Sequence, residues 1–189
     1  MNKNDALKEA MKLAEMAALE SVQADQIYGV RTGTSSMAPW PAQPARIIFL
    51  DFDGVLNSEQ SFRKFGTRYR FAGENVAALN EVLQQTGAGL VITSSWREGL
   101  SLAEMIGYLE RDGVLAKRVV GKTPQLQKSR GLEIDSWLRS APYPISSFVI
   151  LDDRDDMEMH RERLVQVDPQ IGLCMSQARV AIQLIARPN

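Results

Sequence analysis

The sequence predicts an α/β fold built on a doubly wound parallel sheet, and two observations carry that prediction. Short, continuously apolar runs alternate along the chain with amphipathic stretches of helical period, as expected of strands covered by helices on both faces. Several of the runs also end abruptly in acidic or hydroxyl residues, and open sheets of this kind carry their chemistry at the carboxyl ends of the strands.

Taken in order, residues Asp5 to Ile27 form a predicted helix. Leu7, Met11, Ala14, Ala18 and Val22 recur at three- and four-residue spacing, with Asn4 as N-cap. Residues 29–44 are rich in Gly, Ser, Thr and Pro; Pro41 and Pro44 exclude a central strand, so this segment reads as a linker. Residues 1–44 are therefore an N-terminal helix and linker, and residues 45–189 the globular domain. Its predicted strands are Arg46–Leu50, Gly89–Ile92, Arg118–Val120, Phe148–Leu151 and Leu164–Val167. The helices between and after them are Glu74–Gln85, Leu102–Arg111, Gly131–Leu138 and Ser176–Ala186. No internal repeat interrupts the pattern.

The bulk numbers set limits. A chain of 189 residues, 44% hydrophobic and 24% charged, suits one globular domain with its own core. One cysteine, Cys174, excludes an internal disulfide framework. Charges at Lys3, Lys8, Glu9, Lys12 and Glu15 break up any signal-like segment, and no run approaches a membrane span. The expected location is the cytoplasm, with no membrane partner. A net charge of −1 gives no global attraction to a polyanion.

Three strand ends concentrate the chemistry. The first reads Asp51-Phe52-Asp53-Gly54-Val55-Leu56-Asn57. Its two acids project to one side of an extended chain, Gly54 permits a sharp turn, and close carboxylates call for a divalent cation. The plainer alternative is an acidic helix cap. The second end, Thr93-Ser94-Ser95-Trp96-Arg97, offers hydroxyls for an anion or, equally, ordinary capping. The third supplies Asp152, Asp153, Asp155 and Asp156; the latter two also suit a solvated first helical turn.

These segments together resemble the haloacid dehalogenase (HAD) superfamily. Asp51–Asn57 is similar to its first motif, Thr93-Ser94-Ser95 to its second and Asp152-Asp153 to its fourth. Ser94–Arg97 and Arg130–Leu138 add a likeness to the HAD domain of Swiss Army Knife RNA repair proteins, covering the chain from Arg46 onward. The resemblance implies a Rossmann-like domain with no cap or a minimal one, and a Mg²⁺-dependent phosphatase.

In that implied mechanism Asp51 is the nucleophile that becomes phosphorylated, and Asp53 is the general acid and base. Mg²⁺ is held by the Asp51 carboxylate, the Asp53 backbone carbonyl and Asp153, with Asp152 in support. Thr93 or Ser94 binds a phosphoryl oxygen, Ser95 remaining open. The family's cation falls to Lys122, Lys128 or Arg130, with Arg130 favoured because it opens the helix before the fourth strand. Arg97 and Lys128 are further candidates for gripping the phosphate, and Gly54 belongs with the substrate-binding positions.

The substrate is a phosphorylated compound, with an RNA or DNA end the leading expectation; the oligomeric state stays open. Between Ser61 and Phe71, Arg63, Lys64, Arg68 and Arg70 interleave with Phe62, Phe65, Tyr69 and Phe71. That pattern suits stacking on unpaired bases along a phosphate backbone, or equally a half-buried hairpin flap. His160 is expected to be exposed, Trp96 to pack beside the site and Trp137 to be core. A small-metabolite phosphatase, and a phospho-accepting or binding module on the same scaffold, are the alternative functions.

Overall fold

The structure, a computed structural model, describes residues 45–188; the N-terminal helix expected over Asp5–Ile27 and the linker after it lie outside the described residues. All five apolar runs are strands: β1 Ala45–Leu50, β2 Gly89–Ile92, β3 Val119–Lys122, β4 Ile145–Asp152 and β5 Leu164–Gln166. Five α-helices connect or follow them: α1 Glu59–Phe65, α2 Gly73–Thr86, α3 Leu102–Arg111, α4 Arg130–Ser140 and α5 Met175–Ile185.

The sheet order is β3-β2-β1-β4-β5, every pairing parallel. Pleating sorts the side chains of β1 to two faces. Ile48 and Leu50 pack with Leu79 and Leu83 of α2, Met105 and Leu109 of α3, and Ala181 and Ile185 of α5. Ile47 and Phe49 pack on the opposite face with Ile134 and Trp137 of α4. Each fully buried Leu, Ile or Phe contributes about 1.5–3 kcal/mol. Trp137 meets Phe49 edge to face at 5.4 Å, so its expected core placement holds.

Register then places the chemistry. Leu50 stands opposite Ile92 on one side and Leu151 on the other. The residues that follow, Asp51, Thr93 and Asp152, therefore leave the sheet at one level, flanking the crevice where the winding changes direction. The ladder runs on through Asp51 N–H to Leu151 O at 3.0 Å and Thr93 N–H to Leu50 O at 2.8 Å.

No second domain is inserted between these described elements, in keeping with a minimal cap. The flap after β1 differs from the hairpin alternative, because α1 occupies its first half. Ser58 and Ser61 exchange capping hydrogen bonds, and Gly66 closes the helix in the left-handed region at φ 68°. Helical period replaces the apparent alternation within α1, where Ser61 is buried and Phe62 exposed; Phe71, beyond the helix, is buried in the core. His160 also departs from expectation. Its side chain is only 14% exposed, beside Asp135 and edge-on to Phe148, and burial holds its imidazole below the ordinary histidine pKa.

Candidate active site

Asp51 is buried at the end of β1, where its Oδ1 accepts the Phe52 N–H at 2.7 Å. The chain then turns tightly, with the N–H groups of Val55, Leu56 and Asn57 all converging on Phe52 O. Gly54 sits in the turn at φ +76°, and an added Cβ would lie 2.7 Å from Cγ and Oδ2 of Asp153. Only glycine lets the loops after β1 and β4 approach so closely.

Arg130, the first residue of α4, is buried and points into this acidic corner. Its Nη1 lies 2.8 Å from Asp152 Oδ2, 3.2 Å from Asp51 Oδ2 and 3.0 Å from Thr93 Oγ1. Its placement depends on the next residue: a Cβ on Gly131 would lie 2.2 Å from Met157 O, so only glycine brings the helix start this close to the loop after β4. From that loop Asp156 caps α4, accepting Arg130 N–H at its carboxylate and Gly131 N–H at its carbonyl, both at 3.0 Å. Burial alone would lower the Arg130 guanidinium, but Asp51 and Asp152 raise it above the usual arginine pKa. Asp152 is pushed up to about 8, by burial first and then by the charge of Asp51. Asp153 moves up for the same two reasons.

The end of β2 sorts its hydroxyls differently from expectation. Thr93 is fully buried with its hydroxyl against Arg130. The Ser94 hydroxyl faces the backbone N–H of Trp96 at 3.4 Å, capping the 3₁₀ turn Ser95–Glu98. Ser95 is the hydroxyl residue that lines the cavity. Arg97 does not reach out to a phosphate. Its guanidinium turns inward to the carbonyls of Thr93 and Ser94 and to Glu133 on α4, because a buried cation must be paired. Lys128 is exposed in the loop before α4 and Lys122 is half-buried on β3; neither lines the cavity, which leaves Arg130 as the cation in the corner.

Both oxygens of Asp53 are taken. Oδ1 accepts from Asn57 Nδ2 at 2.8 Å and Oδ2 from Trp96 Nε1 at 3.0 Å. Its carboxylate therefore stands apart from the cluster formed by Asp51, Asp152 and Asp153. Asn57, Glu133 and the indole N–H of Trp96 are site residues to which sequence reasoning gave no role. Asn57 and Trp96 lay inside recognised motifs, and Glu133 is three residues past Arg130 on its helix.

An open cavity of about 230 Å³ joins these groups. Asp51, Gly54 and Arg130 are its buried lining, Glu59 is half-buried at its edge, and Arg68, Ser95 and Arg154 are exposed around it. Asp51, Asp152 and Asp153 each bring an oxygen within 4.8 Å of the others. Three carboxylates against one guanidinium leave a deficit of positive charge, and an all-oxygen donor set fits a hard divalent cation such as Mg²⁺. Among the described residues no helix is long and apolar enough to cross a membrane.

Comparisons with known proteins agree with this arrangement. The profile of the HAD domain in Swiss Army Knife RNA repair proteins matches residues 47–178. The solved structure of the Legionella pneumophila effector Ceg4 shares the fold at TM-score 0.50 and 14% identity, over 80% of this chain and 99% of that one. No curated protein matches the sequence.

Proposed function

The chain belongs to the family of the HAD domain in Swiss Army Knife RNA repair proteins, and from that premise we propose that it hydrolyses phosphomonoesters through transient phosphorylation of Asp51. The observation that carries this reading is the meeting of Asp51, Asp152, Asp153 and Arg130 at one end of an open cavity that Asp53 also lines.

A carboxylate oxygen of Asp51 attacks phosphorus, and the bond from phosphorus to the ester oxygen breaks. Asp53 gives a proton to the departing oxygen. In the second half a water attacks the phosphorus, Asp53 takes a proton from it, and inorganic phosphate leaves with Asp51 restored. Arg130 offsets charge at Asp51 throughout, while Thr93 holds the guanidinium in place. Ser95 is set to hydrogen-bond a phosphoryl oxygen.

Asp51, Asp152 and Asp153 would hold Mg²⁺, the Asp53 contribution being its backbone carbonyl. Bound there, the ion supplies the positive charge that lets an anionic carboxylate meet an anionic phosphate.

We place the substrate among phosphorylated nucleic-acid ends. The cavity is open enough for a polymer end, Arg68 and Arg154 line it, and Tyr69 stands 55% exposed beside it against Trp96 and Tyr108. Basic side chains at a cavity with an aromatic surface nearby suit an unpaired, charged strand. The test is phosphate release with Mg²⁺ from 5′- and 3′-phosphorylated RNA and DNA oligonucleotides, mononucleotides and an aryl phosphate. Wild type is compared with Asp51→Asn. Release from an oligonucleotide by wild type alone supports end processing. Turnover of the aryl phosphate without any oligonucleotide leaves a metabolite phosphatase instead.

A further inference from the structure

The cavity holds one ion pair that the chemistry above does not use. Arg68 Nη2 lies 2.7 Å from Glu59 Oε1, both residues line the cavity, and their side chains are 46% and 36% exposed. The Arg68 guanidinium also lies over the Phe62 ring, 4.9 Å from its centroid. The backbone of Arg68 is tied to the reacting groups. Asn57 Nδ2 donates at once to Asp53 Oδ1 at 2.8 Å and to Arg68 O at 2.6 Å. Position 68 is therefore tied through Asn57 to Asp53, the proposed acid for the leaving oxygen.

We propose that Arg68 forms a second anion subsite, reading a negative charge on the leaving portion of the substrate one linkage beyond the scissile ester. This rests on the phosphatase reading and on Asp53 as its acid. For a nucleic-acid end, the charge is the first internucleotide phosphodiester.

Glu59 keeps the guanidinium oriented in the free protein. A solvent-exposed arginine–carboxylate ion pair of this kind is weak and exchanges readily, whereas arginine and a phosphate form charge-assisted, two-pronged contacts. The incoming phosphodiester displaces Glu59, and the Phe62 ring and the Asn57 tether hold Arg68 in place during the exchange.

Binding measured in the Asp51→Asn protein tests this apart from turnover. The probes are a 5′-phosphorylated dinucleotide and the same compound with an uncharged methylphosphonate linkage, which differ in a single charge. The charged probe is expected to bind about tenfold more tightly, the factor that one charge-assisted contact supplies. Adding Arg68→Ala should erase the difference, and adding Glu59→Gln should widen it. Equal affinity for the two probes, or a difference that survives Arg68→Ala, would overturn the subsite. Phosphate release from an aryl phosphate by the wild type is read separately. Failure there indicts the phosphatase reading, while the binding ratio still decides the subsite.

Discussion

The indole N–H of Trp96 donates to Asp53 Oδ2 at 3.0 Å, and the ring behind it is locked among other aromatics. Phe71 stacks on it at 5.7 Å, Phe52 meets it edge-on at 5.2 Å and Tyr108 edge-on at 5.4 Å. The orientation of the proposed acid thus depends on a side chain from the end of β2.

Replacing that donor while keeping an aromatic ring isolates its role. Trp96→Phe should lower kcat by about 10–100-fold, the equivalent of one hydrogen bond to a charged group. The loss should be steeper for alkyl than for aryl phosphates, because a poor leaving group depends more on its acid. Equal losses on both substrates would mean that Trp96 acts on something other than proton transfer.

Two glycines with similar backbone angles separate strain from collision. Gly54 and Gly66 both have positive φ, but a Cβ at Gly54 meets Asp153 at 2.7 Å and one at Gly66 meets nothing within 4 Å. Gly66→Ala should cost about 1–2 kcal/mol for left-handed backbone alone, with activity retained. Gly54→Ala should lose more stability and nearly all activity, because Asp153 has to move. Thermal melts and aryl phosphate turnover of the two variants check this; equal effects would refute the collision.

Most of the fold was legible because the central strands β1, β2 and β4 each carry a continuous apolar run, and burial on both faces leaves little freedom in composition there. The acids of the site were legible for a related reason. Asp51, Asp53, Asp152 and Asp153 follow directly on such runs, and register alone brings Asp51 and Asp152 together. What could not be read were the partners of long side chains. Arg97 looked free to grip a phosphate; its partner Glu133 is distant in sequence and meets it only once α4 packs beside the end of β2. Ser95 rather than Ser94 lines the cavity because the chain enters a 3₁₀ turn there, which periodicity does not announce. The flap misled through its alternating aromatics, although Ser58 and Ser61 carried the capping signal for α1.

The buried pair of Arg97 and Glu133 braces two walls of the candidate site. Arg97 holds the carbonyls of Thr93 and Ser94, while Glu133 also accepts Leu126 N–H at 2.9 Å from the loop preceding α4. Removing one partner leaves a buried charge alone, so Glu133→Leu should cost about 3–5 kcal/mol. The Arg97→Met, Glu133→Leu double variant should recover part of that stability, because no charge is stranded. A double-mutant cycle by urea denaturation reads the coupling. Additive losses would show that the two side chains do not depend on each other.

The acidic corner makes stability depend on pH in a direction opposite to that of an ordinary paired carboxylate. Asp152 is raised to about 8, first by burial and next by Asp51; its unfolded value is about 3.9. The folded state therefore binds the proton more tightly. That contribution is complete below about pH 4 and lost as pH rises toward 8. In EDTA the melting temperature should accordingly fall between about pH 5 and 8, and Asp152→Asn should flatten the decline. Adding Mg²⁺ at the upper end should raise it again, since a ligand bound only by the folded chain stabilises that chain. A melting temperature indifferent to Mg²⁺ at that pH would remove the metal from the proposed site, and an unchanged slope in Asp152→Asn would assign the decline to other groups.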